Sequence, residues 1–152
     1  MSRVNRKTVR ATIAAGLAAN MPSAAAVYAY QRSKLDGMAS VVRIFSASSD
    51  RPAMTGNAEE SHPLWTQLGF ICQLWVLTAS ATGQTYTEAE AEDRLDDLEY
   101  ELITWVAANQ NPSGGAWVDL RYDRPSFVDT YKAGNELYLV EDIFLTATVN
   151  DV

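Results

Sequence analysis

Residues 64–80 read LWTQLGFICQLWVLTAS, a nearly unbroken apolar run. A strand apolar on both sides must be covered on both sides, so this run demands a layered fold or a contact with another chain. A buried helix would satisfy the same composition. Gly69, the threonines and the TGQ turn that follows favour a strand. Cys72 lies inside the run and reads as a small apolar core residue. As the sole cysteine it excludes a disulfide framework within one chain and a zinc site built on a cysteine cluster.

The remaining elements are organised around that run. Val9, Ile13 and Leu17 recur every fourth residue and predict a helix over 1–20, with Arg3, Arg6, Lys7 and Arg10 solvated and Pro22 as the stop. This reading fits the segment better than a secretory signal, because Ala, Gly and Thr dominate its middle and Asn20 interrupts it. AAVYAY (25–30) and SVVRIF (40–45) predict strands, joined by the turn-bearing loop QRSKLDGM. Residues 46–63, with four serines, two prolines and few large apolar side chains, predict a long flexible loop. WVDLRY (117–122) and ELYLVEDIFLTATV (136–149) alternate as strands. In the second, Leu137, Leu139, Ile143 and Leu145 share one face, and Tyr138, Val140 and Phe144 the other. The expected fold is a single α+β domain over 1–152, with two helices packed on a largely antiparallel or mixed sheet.

Charge is distributed unevenly. TEAEAEDRLDDLEYEL (87–102) holds eight carboxylates and one arginine, a sum of −7 that equals the formal charge of the whole chain. Thr87 with Glu90 forms a capping box, and early carboxylates suit the positive end of a helix dipole. Ala91, Leu95, Leu98, Leu102, Trp105 and Val106 form one stripe, predicting a core-facing helix to about residue 108. Glu92, Asp96 and Glu99 flank one side of that stripe; Glu90, Asp93, Asp97 and Glu101 flank the other. Tyr100 points directly outward, either incidentally or as a contact to another chain.

Reaction chemistry finds little support. His62 is the only histidine, so a triad or metal pair needing two cannot form within one chain. No phosphate-binding glycine loop or nucleophile elbow is present. The acids of 87–102 sit on two solvated flanks, without the burial that separates two carboxyl pKa values for acid–base work. The acidic balance disfavours non-specific binding to DNA or anionic lipid, and no apolar run reaches the roughly 20 residues that span a bilayer. A non-enzymatic protein without cofactor or metal is expected.

The N-terminal helix followed by VYAYQRSKLDGMASVVRIFSASSDRP resembles the opening of tail terminator (tail completion) proteins of long-tailed bacteriophages. There a strand leads through a loop and a V-V passage into an SAGSxRP-like sequence, matched here by Ser46 to Pro52. GFICQLWVL, the helix opened by YTEAEAEDRLDDLEYEL, WVDLRY and YLVEDIFLTATV follow in the family's order, so the likeness spans nearly the whole chain.

The resemblance implies a structural virion protein of the tail–neck region, made in the bacterial host cytoplasm. It would form a homo-oligomeric ring, usually a hexamer, that caps the tail tube, stops its polymerisation and meets the head connector. Tube protein and connector would be its partners, and DNA would pass through without specific binding. Phe45, Arg51, Trp65 and Tyr100 are then interface candidates. Glu92, Asp93, Asp96, Asp97 and Glu99 would either line the channel, repelling the duplex, or cover the outer surface. Two other readings remain: another phage neck, head-closure or minor tail ring protein, and a small-molecule-binding regulatory α+β domain.

Overall fold

The computed structural model describes residues 5–35, 37–50, 65–79, 87–112, 115–133 and 135–150. Among these residues seven elements follow: α1 (Arg6–Asn20), β1 (Ala26–Tyr28), β2 (Ser40–Asp50), β3 (Trp65–Ala79), α2 (Glu88–Ala108), β4 (Asp119–Ala133) and β5 (Glu136–Asn150). The strands form one sheet in the order β1-β2-β3-β5-β4, with β1 parallel to β2 and all other pairs antiparallel. The expected α+β architecture is what this chain adopts.

Both helices lie on one face of the sheet. α1 begins where the Asn5 side chain accepts from the Thr8 amide, and it ends before Pro22. Val9, Ile13 and Leu17 are its buried stripe, as the four-residue spacing requires. α2 begins at Thr87, whose hydroxyl accepts from the Glu90 amide at 3.1 Å, and buries Ala91, Leu95, Leu98, Leu102, Trp105 and Val106. With Val42, Ile44, Phe70, Cys72, Leu74, Ile143 and Leu145 these side chains make the main core. Each fully buried leucine contributes about 1.5–3 kcal/mol relative to exposure. Loss of the Thr87 cap in Thr87→Ala is expected to cost ~1 kcal/mol, read as a lower urea midpoint at unchanged slope.

Gly16 of α1 sits against the indole of Trp105, so close that a Cβ at residue 16 would lie 2.2 Å from the ring. Further along, the Ser23 amide donates to the Glu101 carboxylate at 2.8 Å. As α1 advances, its neighbours on α2 run backwards, so the helices are antiparallel. The first turns of α1 therefore project beyond the C-terminal end of α2.

Three boundaries differ from the sequence-based expectation. β1 has only three residues instead of six, because the chain must leave the sheet edge to return as its own parallel neighbour. That crossover, residues 29–39, lays Leu35 and Met38 over the second sheet face and turns at Gly37, whose φ of 69° favours glycine. The segment expected as a loop from residue 46 is strand as far as Asp50: Ser46, Ser48, Ser49 and Asp50 pair with Phe70, Gly69, Leu68 and Gln67 across a bulge. Backbone pairing with the long β3 outweighs the weak strand preference of serine. The rest of that expected loop, including Arg51 and His62, lies outside the described residues. β4, expected over 117–122, extends to Ala133, and RPSFVDTYKA is strand instead of connection. Its pairing with β5 shifts between Tyr122 and Arg124 and again between Arg124 and Phe127, bulges that accommodate Pro125, which has no amide to donate.

Candidate interaction surfaces

The face of the sheet opposite the helices is only partly covered. Alternation puts Arg43 of β2, Gln73 and Trp75 of β3, Tyr138, Val140 and Asp142 of β5, and Phe127 and Tyr131 of β4 on this side. Leu35, Val41, Trp75, Leu77, Tyr138 and Val140 form a second, smaller core here, with Tyr28 and Met38 against it. Residues 28–38 therefore cap one half of the face, part of the covering that the apolar run in β3 demands.

Beside this cap lies an open pocket of about 620 Å³ with aromatic walls from Trp75, Phe127, Tyr131 and Tyr138. A polar row crosses its floor: Arg43 is registered with Gln73, Gln73 with Asp142, and Asp142 with Phe127. The Arg43 guanidinium stacks 4.5 Å over the Trp75 ring and donates to the Arg32 carbonyl and to Gln73 Oε1. Burial lowers its pKa from the usual arginine value, and Asp142 and Tyr131 act in the opposite direction. Arg43 Nε and Asp142 Oδ1 are buried without hydrogen-bond partners among the described residues. The Tyr138 hydroxyl donates to Glu136 at 2.8 Å, and Tyr131 meets the Trp75 ring edge-on at 5.2 Å. The arrangement is suited to recognition: flat apolar walls around a fixed cation and carboxylates.

Among the described residues, the β4 edge is open. Every residue from Arg121 to Lys132 is exposed. Phe127 and Tyr131 on one face, at 56% and 55%, and Val128 on the other, at 51%, leave apolar surface on both sides of the strand. Arg124 stacks over Phe144 at 4.5 Å and pairs with Asp123 at 3.1 Å. Charged side chains, Pro125 and the two bulges are devices that keep an edge strand from indiscriminate pairing.

On the helix face, the two acidic flanks of α2 have different surroundings. Glu101 reaches Ser23, and Glu90, Asp93 and Asp97 surround Arg94 beside it. The opposite flank, Glu92, Asp96 and Glu99, leans towards β5 and β4. There Glu141 of β5, 1% exposed, shares a hydrogen bond with Glu99 and lies near Asp96. Desolvation is the largest cause that pushes the Glu141 carboxyl up to about 8, and Glu99 and Asp96 add to it. Desolvation also raises the Tyr122 phenol to about 12, with Cys72 and Glu99 contributing. Cys72 is fully buried, as its sequence context implies, and its thiol is pushed up to about 12.

Of the interface candidates, Tyr100 stands 73% exposed on the outer face of α2, and Phe45 is half-buried on β2. Trp65 opens β3 opposite Asn150, but its side chain, like the whole of Arg51, lies outside the described residues. Glu92, Asp93, Asp96 and Asp97 are exposed, while Glu99 is half-buried against Glu141. Among the described residues, these positions do not converge on one site. Sequence reasoning passed over Arg43, Phe127, Val128, Tyr131 and Glu141. Glu141 alternates with Leu139 and Ile143, so the period of two alone assigns it to the helix-covered face.

Among the described residues, no group of three or more His, Cys, Asp or Glu is arranged to hold a metal ion, and no helix is long and apolar enough to cross a membrane. No family model matches the chain, and no curated protein matches it in sequence.

Proposed function

We propose that this protein is a structural subunit that assembles with copies of itself, and that the assembly is the tail terminator ring of a long-tailed bacteriophage. The observation that carries self-association is β4, exposed along nearly its whole length, with Phe127 and Tyr131 on one face and Val128 on the other. Apolar groups grouped in this way on a strand edge mark an interaction surface. The terminator reading adds the resemblance in element order and in the Ser46–Pro52 passage, and the α+β fold is compatible with it. In that role the ring would cap the tube protein, halt its growth and receive the head connector, in a reaction-free assembly. Carboxylates on the outer surface of α2 would then keep the duplex off a channel wall or keep the outer rim soluble.

The open pocket beside Trp75 favours a second reading, a module that binds a small molecule, since its volume falls within the ordinary range for such sites. Native mass spectrometry separates the two. A closed oligomer, six subunits by the resemblance, that captures tube protein in a pull-down is the expected result. A monomer at micromolar concentration would overturn the assembly reading and leave the pocket as the functional feature.

A further inference from the structure

The first turns of α1 are locally unfavourable. Arg6, Lys7 and Arg10 gather at the positive end of the helix dipole, where cations cost stability, and no acidic residue occupies the first turn. A sequence that keeps a local conflict of this kind has a use for it elsewhere. The two arginines are held in place. Arg6 Nη1 donates to Ser49 Oγ at 3.2 Å and Arg10 Nη1 to Ser46 Oγ at 2.9 Å, so both cations are fixed over the end of β2. This part of β2 extends beyond the three residues that pair with β1.

The opposite edge of the sheet carries the complementary surface. α2 and β4 bound a shelf with Glu92, Asp96 and Glu99 along one side, and Tyr122 and Val128 along the other. Ile103, one turn beyond Glu99, is 39% exposed beside it, and Glu141 lies beneath with Oε2 unpartnered. Cation and acid patches cannot serve each other inside one subunit. Arg6 lies ten residues before Gly16, about 15 Å along α1, and Asp96 lies nine residues before Trp105, about 13 Å along α2. Because Gly16 meets Trp105 and the helices are antiparallel, these lengths add. Arg6 and Asp96 are thus about three screening lengths apart, the Debye length being about 8 Å at physiological salt. They also lie towards opposite edges of the sheet, since α1 covers β1 and β2 while the shelf borders β4.

We propose that the basic first turns of α1 in one copy dock on the acidic α2–β4 shelf of a second copy. The contact is heterologous, joining two different surfaces, so each subunit offers one free surface of each kind and the contact repeats until a ring closes. It rests on the self-association proposed above and specifies its polarity. The pinned arginines lose little freedom on docking. The apolar shelf residues Tyr122, Ile103 and Val128 lose their exposure in the same contact. A partner of the same charge pattern accounts for both patches at once, which an unrelated basic protein does not.

Two double variants test this in the full chain. Arg6→Glu with Lys7→Glu reverses the turn, and Glu92→Lys with Asp96→Lys reverses the shelf; all four side chains are exposed. Far-UV circular dichroism and thermal melts check that each variant is folded. Each alone should weaken assembly by about tenfold or more in sedimentation at low salt, because like charges then face each other. Mixed in equal amounts, they should regain wild-type assembly with the two variants alternating, since each turn then meets a shelf of opposite sign. Variants that each assemble like the wild type, or that fail to recover on mixing, would overturn the proposed contact while self-association stands. A wild-type protein that is itself monomeric would overturn self-association and the contact together.

Discussion

Replacing Gly16 with valine is expected to lower the thermal midpoint by about 6–12 °C, the equivalent of roughly 3 kcal/mol in a domain of this size. The cause is the helix–helix contact. A Cβ at residue 16 would come within 2.2 Å of Trp105 Cζ2 and 2.6 Å of Cε2, far inside van der Waals contact. Trp105 has little room to retreat: it is 9% exposed and meets Trp117 edge-on with ring centroids 6.2 Å apart. Trp117 is itself tied by its indole N–H to the Asn109 carbonyl at 2.8 Å. The helix-propensity gain from removing a glycine, under about 1 kcal/mol, does not offset that overlap. In the Gly16→Val background, Trp105→Leu should recover part of the loss, giving a coupling of at least about 1 kcal/mol in a double-mutant cycle. Equal melting of wild type and Gly16→Val would show that the helices separate freely at this point and that the packing described is wrong.

That contact also marks the limit of what pattern reading can show. The stripes Val9–Ile13–Leu17 and Leu95–Leu98–Leu102 are legible because burial imposes the helical period on each segment independently. The alternation in β5 is legible for the same reason, with Leu139, Ile143 and Leu145 in the main core and Tyr138 and Val140 in the second. Gly16 in an Ala-rich helix carries no such signal. Its meaning depends on a tryptophan nearly ninety residues away, and long-range juxtaposition is absent from local periodicity.

Strand lengths were obscured for a related reason. SASSD at the end of β2 and RPSFVDTYKA within β4 contain serine, proline and charge, which read as connection when taken alone. They are strand because long neighbours supply their backbone partners: β3 for the first, β5 for the second. The candidate surfaces followed the same division. The two acidic flanks of α2 follow from helical geometry, but which flank faces β4 depends on the order of strands in the sheet. The cover over the second face could not be read from composition either. It arises because a parallel β1–β2 pair forces residues 29–39 to cross over, and that crossing carries Leu35 onto Trp75 and Tyr138.

Glu141 supplies the second large effect, and here the sign depends on pH. The side chain is 1% exposed, Oε2 has no partner among the described residues, and its hydrogen bond to Glu99 can be donated only while Glu141 holds its proton. Folding raises its pKa from the ordinary 4.5 to about 8, with burial the largest cause and Glu99 and Asp96 adding to it. Below about pH 4.5 both folded and unfolded chains carry the proton, and the group leaves stability unchanged. Between about 4.5 and 8 the unfolded chain has released the proton and the folded chain retains it, so folding must take one up and stability falls as pH rises. Above about 8 the loss is complete and the contribution becomes flat. Glu141→Gln keeps a donor for Glu99 and removes the titration. The variant should match the wild type near pH 4.5 and exceed it increasingly towards pH 8, by an amount on the order of a few kcal/mol. Urea denaturation of both proteins across pH 4.5–9 measures this directly, and two curves that stay parallel would place the Glu141 carboxyl in water instead of under α2. A chain that retains such a destabilising carboxyl at the base of the α2–β4 shelf gives up stability at the very surface proposed to receive a second copy, as expected where function overrides local consistency.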